Sequence, residues 1–200
     1  RMQVRFSGQA GHAGTVPMNM RKDALIAAAQ TVTNIERVGS SKEGMVATVG
    51  TLEVAQGSSN VVPGEVLFTV DMRGPIDAVR EEAVLQVVEE IHAVAKRRGL
   101  EVSITKTHEA GAVFMDPELM TALRKAIVAE ELEDDVTSVV TLSSGAGHDS
   151  MIIGQQMPVA MAFLRCEGGI SHNPAEFLDP KDASAGANVL LQLLLNFANN

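Results

Sequence analysis

The chain opens on strict alternation. In "RMQVRFSG" the apolar residues Met2, Val4 and Phe6 alternate with polar ones, the period of a half-buried strand over about Met2–Ser7. After "TVPMNMRKD" the period lengthens, and Leu25, Ala28, Val32 and Ile35 predict an amphipathic helix. "MVATVGTLEVA" and "EVLFTVDMR" are β-branched runs that predict two strands, with turn composition in the intervening "QGSSNVVPG". Pro75 opens a second helix on the stripe Val84, Val87, Val88, Ile91 and Ala95. Lys96, Arg97 and Arg98 complement the negative end of that helix, and Gly99 suits a left-handed cap. "LEVSITKT" predicts a fourth strand. The order βαββαβ predicts a four-stranded antiparallel sheet with two helices on one face, a ferredoxin-like domain over residues 1–110.

Residues 111–200 follow a different rhythm. Asp116-Pro117-Glu118 carries a capping acid, a proline at the first helical position and an acid in the first turn, and Leu119, Leu123 and Ile127 continue the helix. "TSVVTL" and "PVAMAFL" predict short apolar strands, each followed by a glycine-bearing loop. Asp179-Pro180 starts a last helix through Leu190, Leu191 and Leu194. The alternation resembles a parallel α/β layer, but two strands make a thin sheet with open edges, as in a piece of something larger. The chain also starts inside a strand, as a domain cut from a longer protein would.

Composition narrows the function classes. A formal charge of −9 opposes a nucleic-acid surface, and six Phe without Trp or Tyr leave no aromatic stacking platform. No apolar run approaches the roughly 18 residues of a membrane span. One cysteine, Cys166, allows no internal disulfide and points to a reducing cytoplasm. The expected partners therefore exclude nucleic acid and membrane.

Four stretches could carry chemistry. "GQAGHAGTVP" sets His12 among small residues that leave its imidazole accessible, although a loop histidine bonded to a carbonyl would look the same. "SSNVVPGEVLFTVDMRG" holds Asn60 and Arg73. An arginine at a strand end can grip a carboxylate through two parallel hydrogen bonds, and it can equally be a solvated strand end. "TLSSGAGHDS" lacks the lysine of a phosphate loop and the Gly-x-Ser-x-Gly order of a serine nucleophile, which counts against a hydrolase built on Ser144 and His148. Its glycine turn could aim backbone N–H groups at a carboxylate or oxyanion, with His148 and Asp149 as partners or merely the start of a helix. "GGISHNPAEF" exposes His172, a suitable metal ligand, beside Glu176, a carboxylate able to orient an imidazole. A catalytic zinc needs about three protein ligands. His92 and His108 look structural, so His172 alone does not make a site.

Together, "GHAGTVPMNMRKDAL", "NVVPGEVLFTVDMR", "SSGAGHDS" and "GGISHNPAEF", in this order, resemble the metal-dependent ureido hydrolases. These are the N-carbamoyl-L-amino-acid hydrolases and the allantoate or ureidoglycolate amidohydrolases of the zinc aminoacylase and carboxypeptidase superfamily. The resemblance covers essentially all 200 residues. It implies an α/β (α+β) fold, with a dimerisation and lid domain followed by the C-terminal part, residues 111–200, of an α/β catalytic domain.

The resemblance also implies roles. His12 matches the histidine that reaches into the partner subunit's site and polarises the substrate carbonyl. Asn60 and Arg73 match substrate ligands, Arg73 clamping the carboxylate, also across the dimer. Gly147 matches a backbone contact to substrate, and His172 matches the last metal ligand; Glu176 matches the motif without a role. In the family a His-x-Asp, a Glu-Glu pair and a further His lie upstream of the matched motifs, and no His-x-Asp occurs in these residues. The implied whole is a homodimeric amidohydrolase that splits a ureido C–N bond with two divalent cations, zinc or manganese. The implied 200-residue piece is inactive and binds no cation tightly. Two other readings stay open: a βαββαβ association module without catalysis, and a related aminoacylase or peptidase.

Overall fold

The computed structural model describes residues 1–198. The chain divides into two compact units, Arg1–Ala112 and Val113–Asn200. The first contains β1 (Met2–Ser7), a two-residue strand β2 (Gly11–His12), a 3-10 turn (Met18–Met20), α1 (Ala24–Ser40), β3 (Val46–Val54), a two-residue strand β4 (Val61–Val62), β5 (Glu65–Arg73), α2 (Asp77–Arg98) and β6 (Glu101–Lys106). The four long strands form an antiparallel sheet in the order β3-β5-β1-β6. This is the βαββαβ arrangement that the periodicity predicts.

Alternation decides which face of the sheet is covered. Met2, Val4 and Phe6 of β1 and Val66, Phe68, Val70 and Met72 of β5 are buried, while Arg5, Glu65, Asp71 and Arg73 lie on the open face. The Phe6 and Phe68 rings meet with centroids 5.8 Å apart, a tilted pair at the centre of the core. Helix α2 buries Ala83, Val87, Ile91, Val94 and Ala95, and Gly99 ends it at φ 65° in the left-handed region. Helix α1 buries Ala24, Ala27, Ala28, Thr31, Ile35 and Val38. Its buried face is therefore turned slightly from the predicted stripe. Leu25 and Val32 sit at its margin, and the alanines let the helix approach the sheet. The buried Thr31 hydroxyl donates to Ala27 O at 2.9 Å, so no polar atom is stranded there.

One element departs from expectation within this unit. "QGSSNVVPG" reads wholly as turn, yet Val61–Val62 form β4 and pair with β2. Two glycines permit it. Gly8 N–H donates to Gly64 O at 2.7 Å, and a Cβ on Gly8 would lie 2.1 Å from Lys22 O. A Cβ on Gly64 would lie 2.7 Å from Ala10 N. Only glycine at 64 lets the β4 loop pass this close to Ala10, and only glycine at 8 lets the chain pass this close to Lys22.

The second unit contains α3 (Pro117–Ala129), a short α4 (Ser150–Ile153), a 3-10 turn (Glu167–Gly169) and α5 (Pro180–Ala198). Asp116 caps α3 as its sequence requires, accepting the N–H groups of Glu118 and Leu119 at 3.0 and 2.9 Å. Helices α3 and α5 meet over a small cluster of Leu123, Ala126 and Val189. The predicted strands "TSVVTL" and "PVAMAFL" are not strands: among the described residues, this unit has none. A strand exists only where a neighbour takes up its N–H and C=O groups. Among the described residues the second segment takes up one such bond, from Asp116 N–H to Val159 O at 2.8 Å, and Thr137 and Ser138 of the first lie in a turn. The apolar composition is present, but the ladder is not.

Candidate functional site

The β2–β4 ladder brings two of the candidate residues together. His12 pairs opposite Val61, and the next residue, Ala13, donates its N–H to Asn60 O at 2.8 Å. The His12 carbonyl accepts from Thr15 and Val16 N–H at 3.2 and 3.1 Å, which curls the loop tightly behind the exposed imidazole. Gly14 N–H donates to His12 Nδ1 at 3.0 Å. That bond makes Nδ1 the acceptor, so in the neutral ring the proton sits on Nε2, where it can be donated outward. Asn60 keeps its side chain local, its Oδ1 accepting from Ser58 Oγ at 2.8 Å.

Arg21 was not a candidate, yet it staples this loop. Its Nη2 donates to Ala13 O at 2.6 Å and its Nε to Val16 O at 3.1 Å. A cation directly after a loop rich in small residues is the only hint the sequence offers. The guanidinium fork satisfies two carbonyls that the tight turn leaves unpaired.

Arg73 stands elsewhere. It ends β5, opposite Val46 of β3, whereas the His12 loop adjoins the start of β5, where Ser7 lies opposite Glu65. Eight strand steps of about 3.3 Å separate Glu65 from Arg73, on the order of 25 Å. Within one chain the His12 loop and Arg73 thus adjoin opposite ends of β5. The Arg73 guanidinium is held by Asp71, two residues back on the same face, with Nε–Oδ1 2.9 Å and Nη2–Oδ2 2.7 Å. Arg1 Nε adds a third contact to Asp71 at 2.9 Å.

These contacts hold the Asp71 carboxyl at about 2, below its ordinary 3.8. The Arg73 hydrogen bonds contribute most; partial burial opposes them and Arg1 assists. The Arg73 guanidinium moves upward for the same reason, its bond to Asp71. A carboxylate with a depressed folded pKa contributes stability above its unfolded pKa and loses it as pH falls through the folded value. Asp71→Asn is expected to lower the stability of the first unit by about 1 kcal/mol at pH 7, a small figure because both arginines are substantially exposed. The difference should shrink below about pH 4 and vanish only below about pH 2. Urea midpoints of both proteins across that range check it.

The remaining candidates lie in the second unit. Gly147 is exposed, and a Cβ there would meet only Met151 Sδ at 3.8 Å, so the space before the turn is open. Ser144 Oγ bonds only the backbone of Ala146, at 3.2 and 3.4 Å, and makes no bond to His148. A serine–histidine pair is thus not assembled. His148 is half-buried, with its Nδ1 shut from solvent and unpartnered among the described residues.

His172 is exposed in a loop whose base is closed by Glu167 N–H donating to Phe177 O at 2.9 Å. Its φ is +56°, in the left-handed region that non-glycine residues rarely enter. Glu176 does not touch the imidazole, as a ring-orienting carboxylate would; its Oε2 accepts the His172 backbone N–H at 2.9 Å. Among the described residues, no group of three or more His, Cys, Asp or Glu could hold a metal ion. The open imidazole of His172 fits one ligand position of a site that needs about three.

The chain matches the family described as Peptidase family M20/M25/M40 over residues 14–196. It is 36% identical over 220 aligned positions to allantoate deiminase 1 of Glycine max, covering 99% of this chain and 46% of the relative. It is 38% identical over 196 positions to the N-carbamoyl-L-amino-acid amidohydrolase of Pseudomonas sp. (strain NS671), covering 96% of this chain and 46% of that one. A crystal structure of an amidase of the hydantoinase/carbamoylase family from Burkholderia multivorans superposes with a TM-score of 0.87 at 36% identity, covering 98% of this chain and 46% of the other. The chain thus spans about half the length of the relatives it matches. No helix among the described residues is long and apolar enough to cross a membrane. With a family match across nearly its whole length, the chain belongs to peptidase family M20/M25/M40.

Proposed function

We propose that this chain is the C-terminal half of a metal-dependent amidohydrolase that cleaves the carbamoyl C–N bond of a ureido acid such as an N-carbamoyl-L-amino acid or allantoate. The observation that carries the reading is likeness over 96–99% of the chain to enzymes named for those substrates. Both named substrates pair a ureido carbonyl with a carboxylate, the two features that His12 and Arg73 are chemically suited to meet. His12 would donate from Nε2 to the carbonyl oxygen as it gains charge, Asn60 would support the same group, and Gly147 would offer its backbone. Arg73 would hold the carboxylate, kept in place by Asp71 until substrate arrives. His172 would supply one metal ligand, and divalent cations, zinc or manganese, would supply water activation at a centre completed by residues outside this chain.

The distance between the His12 loop and Arg73 shapes the assembly. The resemblance brings both His12 and Arg73 across the dimer, but the order of 25 Å along β5 between the His12 loop and Arg73 sets them apart within one chain; we infer instead a homodimer in which each site takes His12 and Asn60 from one subunit and Arg73 from the other. The ladder-free edges of β3 and β6 are available for such pairing. A cytoplasmic setting suits a chain with a single free thiol.

The purified 200-residue chain is expected to release no ammonia from N-carbamoyl amino acids or allantoate, with or without added Zn²⁺ or Mn²⁺. The complete enzyme should release it and stop when its metal is chelated. Chelator-sensitive release by the 200-residue chain would overturn the proposed division of the site. A complete protein inert towards every ureido acid, yet active on N-acyl amino acids or dipeptides, would move the assignment to the related aminoacylases and peptidases.

A further inference from the structure

The His172 loop is built around a conformation that its own residue type resists. A histidine at φ +56° places its Cβ against the backbone, and such single residues persist only where neighbours hold them. Four bonds hold this one. Glu176 Oε2 accepts the His172 N–H at 2.9 Å, Asn173 Oδ1 accepts the Ala175 N–H at 2.9 Å, Asn173 O accepts the Glu176 N–H at 2.9 Å, and the Glu167–Phe177 bond closes the base. Pro174 has no N–H to satisfy and fixes its own φ, which suits it to the middle of this turn. The pattern resembles a helix capping box shifted by one residue: an amide side chain reaches forward, and a carboxylate three residues later reaches back.

We propose that Glu176 is the positioning residue for His172, acting on the backbone and not on the ring. This rests on the reading of His172 as a metal ligand. The imidazole makes no hydrogen bond among the described residues, so nothing bonded to the ring fixes its direction. Its direction follows from where Cβ points, and Cβ is set by φ. If the Glu176 carboxylate releases the His172 N–H, the residue can relax to negative φ, and the Cα–Cβ bond swings away from the position it now serves. Glu176 thus has work to do even though it touches neither ring nitrogen.

The test uses the complete enzyme and reads Zn²⁺ affinity by competition with a chelating dye, independently of turnover. Glu176→Ala should weaken binding at the His172-dependent position by about 10- to 100-fold, the range for lost supporting partners of metal ligands. Glu176→Gln keeps an acceptor oxygen at the same reach and should stay near the wild-type affinity. Hydrogen exchange of the His172 amide should be slowed in wild type and Glu176→Gln, and fast in Glu176→Ala. If Glu176→Gln binds as weakly as Glu176→Ala, the charge or direct ligation matters and the backbone proposal fails. If Glu176→Ala binds as wild type while His172→Ala does not, the proposal also fails. If His172→Ala itself binds Zn²⁺ normally, the ligand reading beneath it fails first, and the comparison tells these cases apart.

Discussion

Replacing Arg73 with alanine in the complete enzyme is expected to lower kcat/KM for a ureido acid by about 30- to 1,000-fold, or roughly 2–4 kcal/mol, the loss of two charge-assisted hydrogen bonds to a carboxylate. Arg73→Lys should recover only part, because an ammonium cannot form the planar double contact. An unchanged KM and kcat would remove Arg73 from the site. A mixture then reads the geometry directly. His12→Ala and Arg73→Ala proteins, exchanged at equal amounts, form heterodimers as half of all dimers. If each site draws His12 and Arg73 from different subunits, every heterodimer has one intact site of two, and about one quarter of wild-type activity returns. If both residues reach a site from the same chain, no heterodimer has an intact site and nothing returns. The order of 25 Å between the two ends of β5 predicts recovery.

The first unit was legible because its signals are local and agree with one another. Alternation at Met2, Val4 and Phe6, the helical stripe through Val87 and Ile91, and the cap at Gly99 each report the environment in which the residue is found. What escaped notice there depends on contacts distant in sequence. The β2–β4 ladder needs Gly64 to pass close by Ala10, and the grip of Arg21 on the His12 loop needs that loop already curled. Asp71 could have been found, because residues two apart on a strand share a face, and its carboxylate stands two residues from the Arg73 fork. Glu176 could not: its bond to the His172 amide appears only when the turn through Asn173 and Pro174 is closed. The four motifs were readable as an ordered set, but the placement of the His12 loop and Arg73 at opposite ends of β5 is a property of register, which no single motif records.

The two units should part company when separated. Residues 1–112 are expected to unfold cooperatively in urea on their own, since the β1–β5 core with α1 and α2 is closed within that unit. Residues 113–200 are expected to keep some helix, bind a hydrophobic dye and show no sharp transition. Their buried apolar cluster is Leu123, Ala126 and Val189, whereas Leu190, Leu191, Leu194 and Leu195 of α5 are each about half exposed or more. A helix hydrophobic on several faces is stable only when each is covered. The apolar segments around Val140 and Phe163 have no ladder partners among the described residues, and both residues face solvent. Composition suited to a buried strand, with neither neighbours nor cover, is what half of a sheet would leave behind. If residues 113–200 instead fold as a cooperative monomer with no dye binding, the apolar faces have another purpose. The reading of this unit as one part of a larger catalytic domain would then lose its physical support.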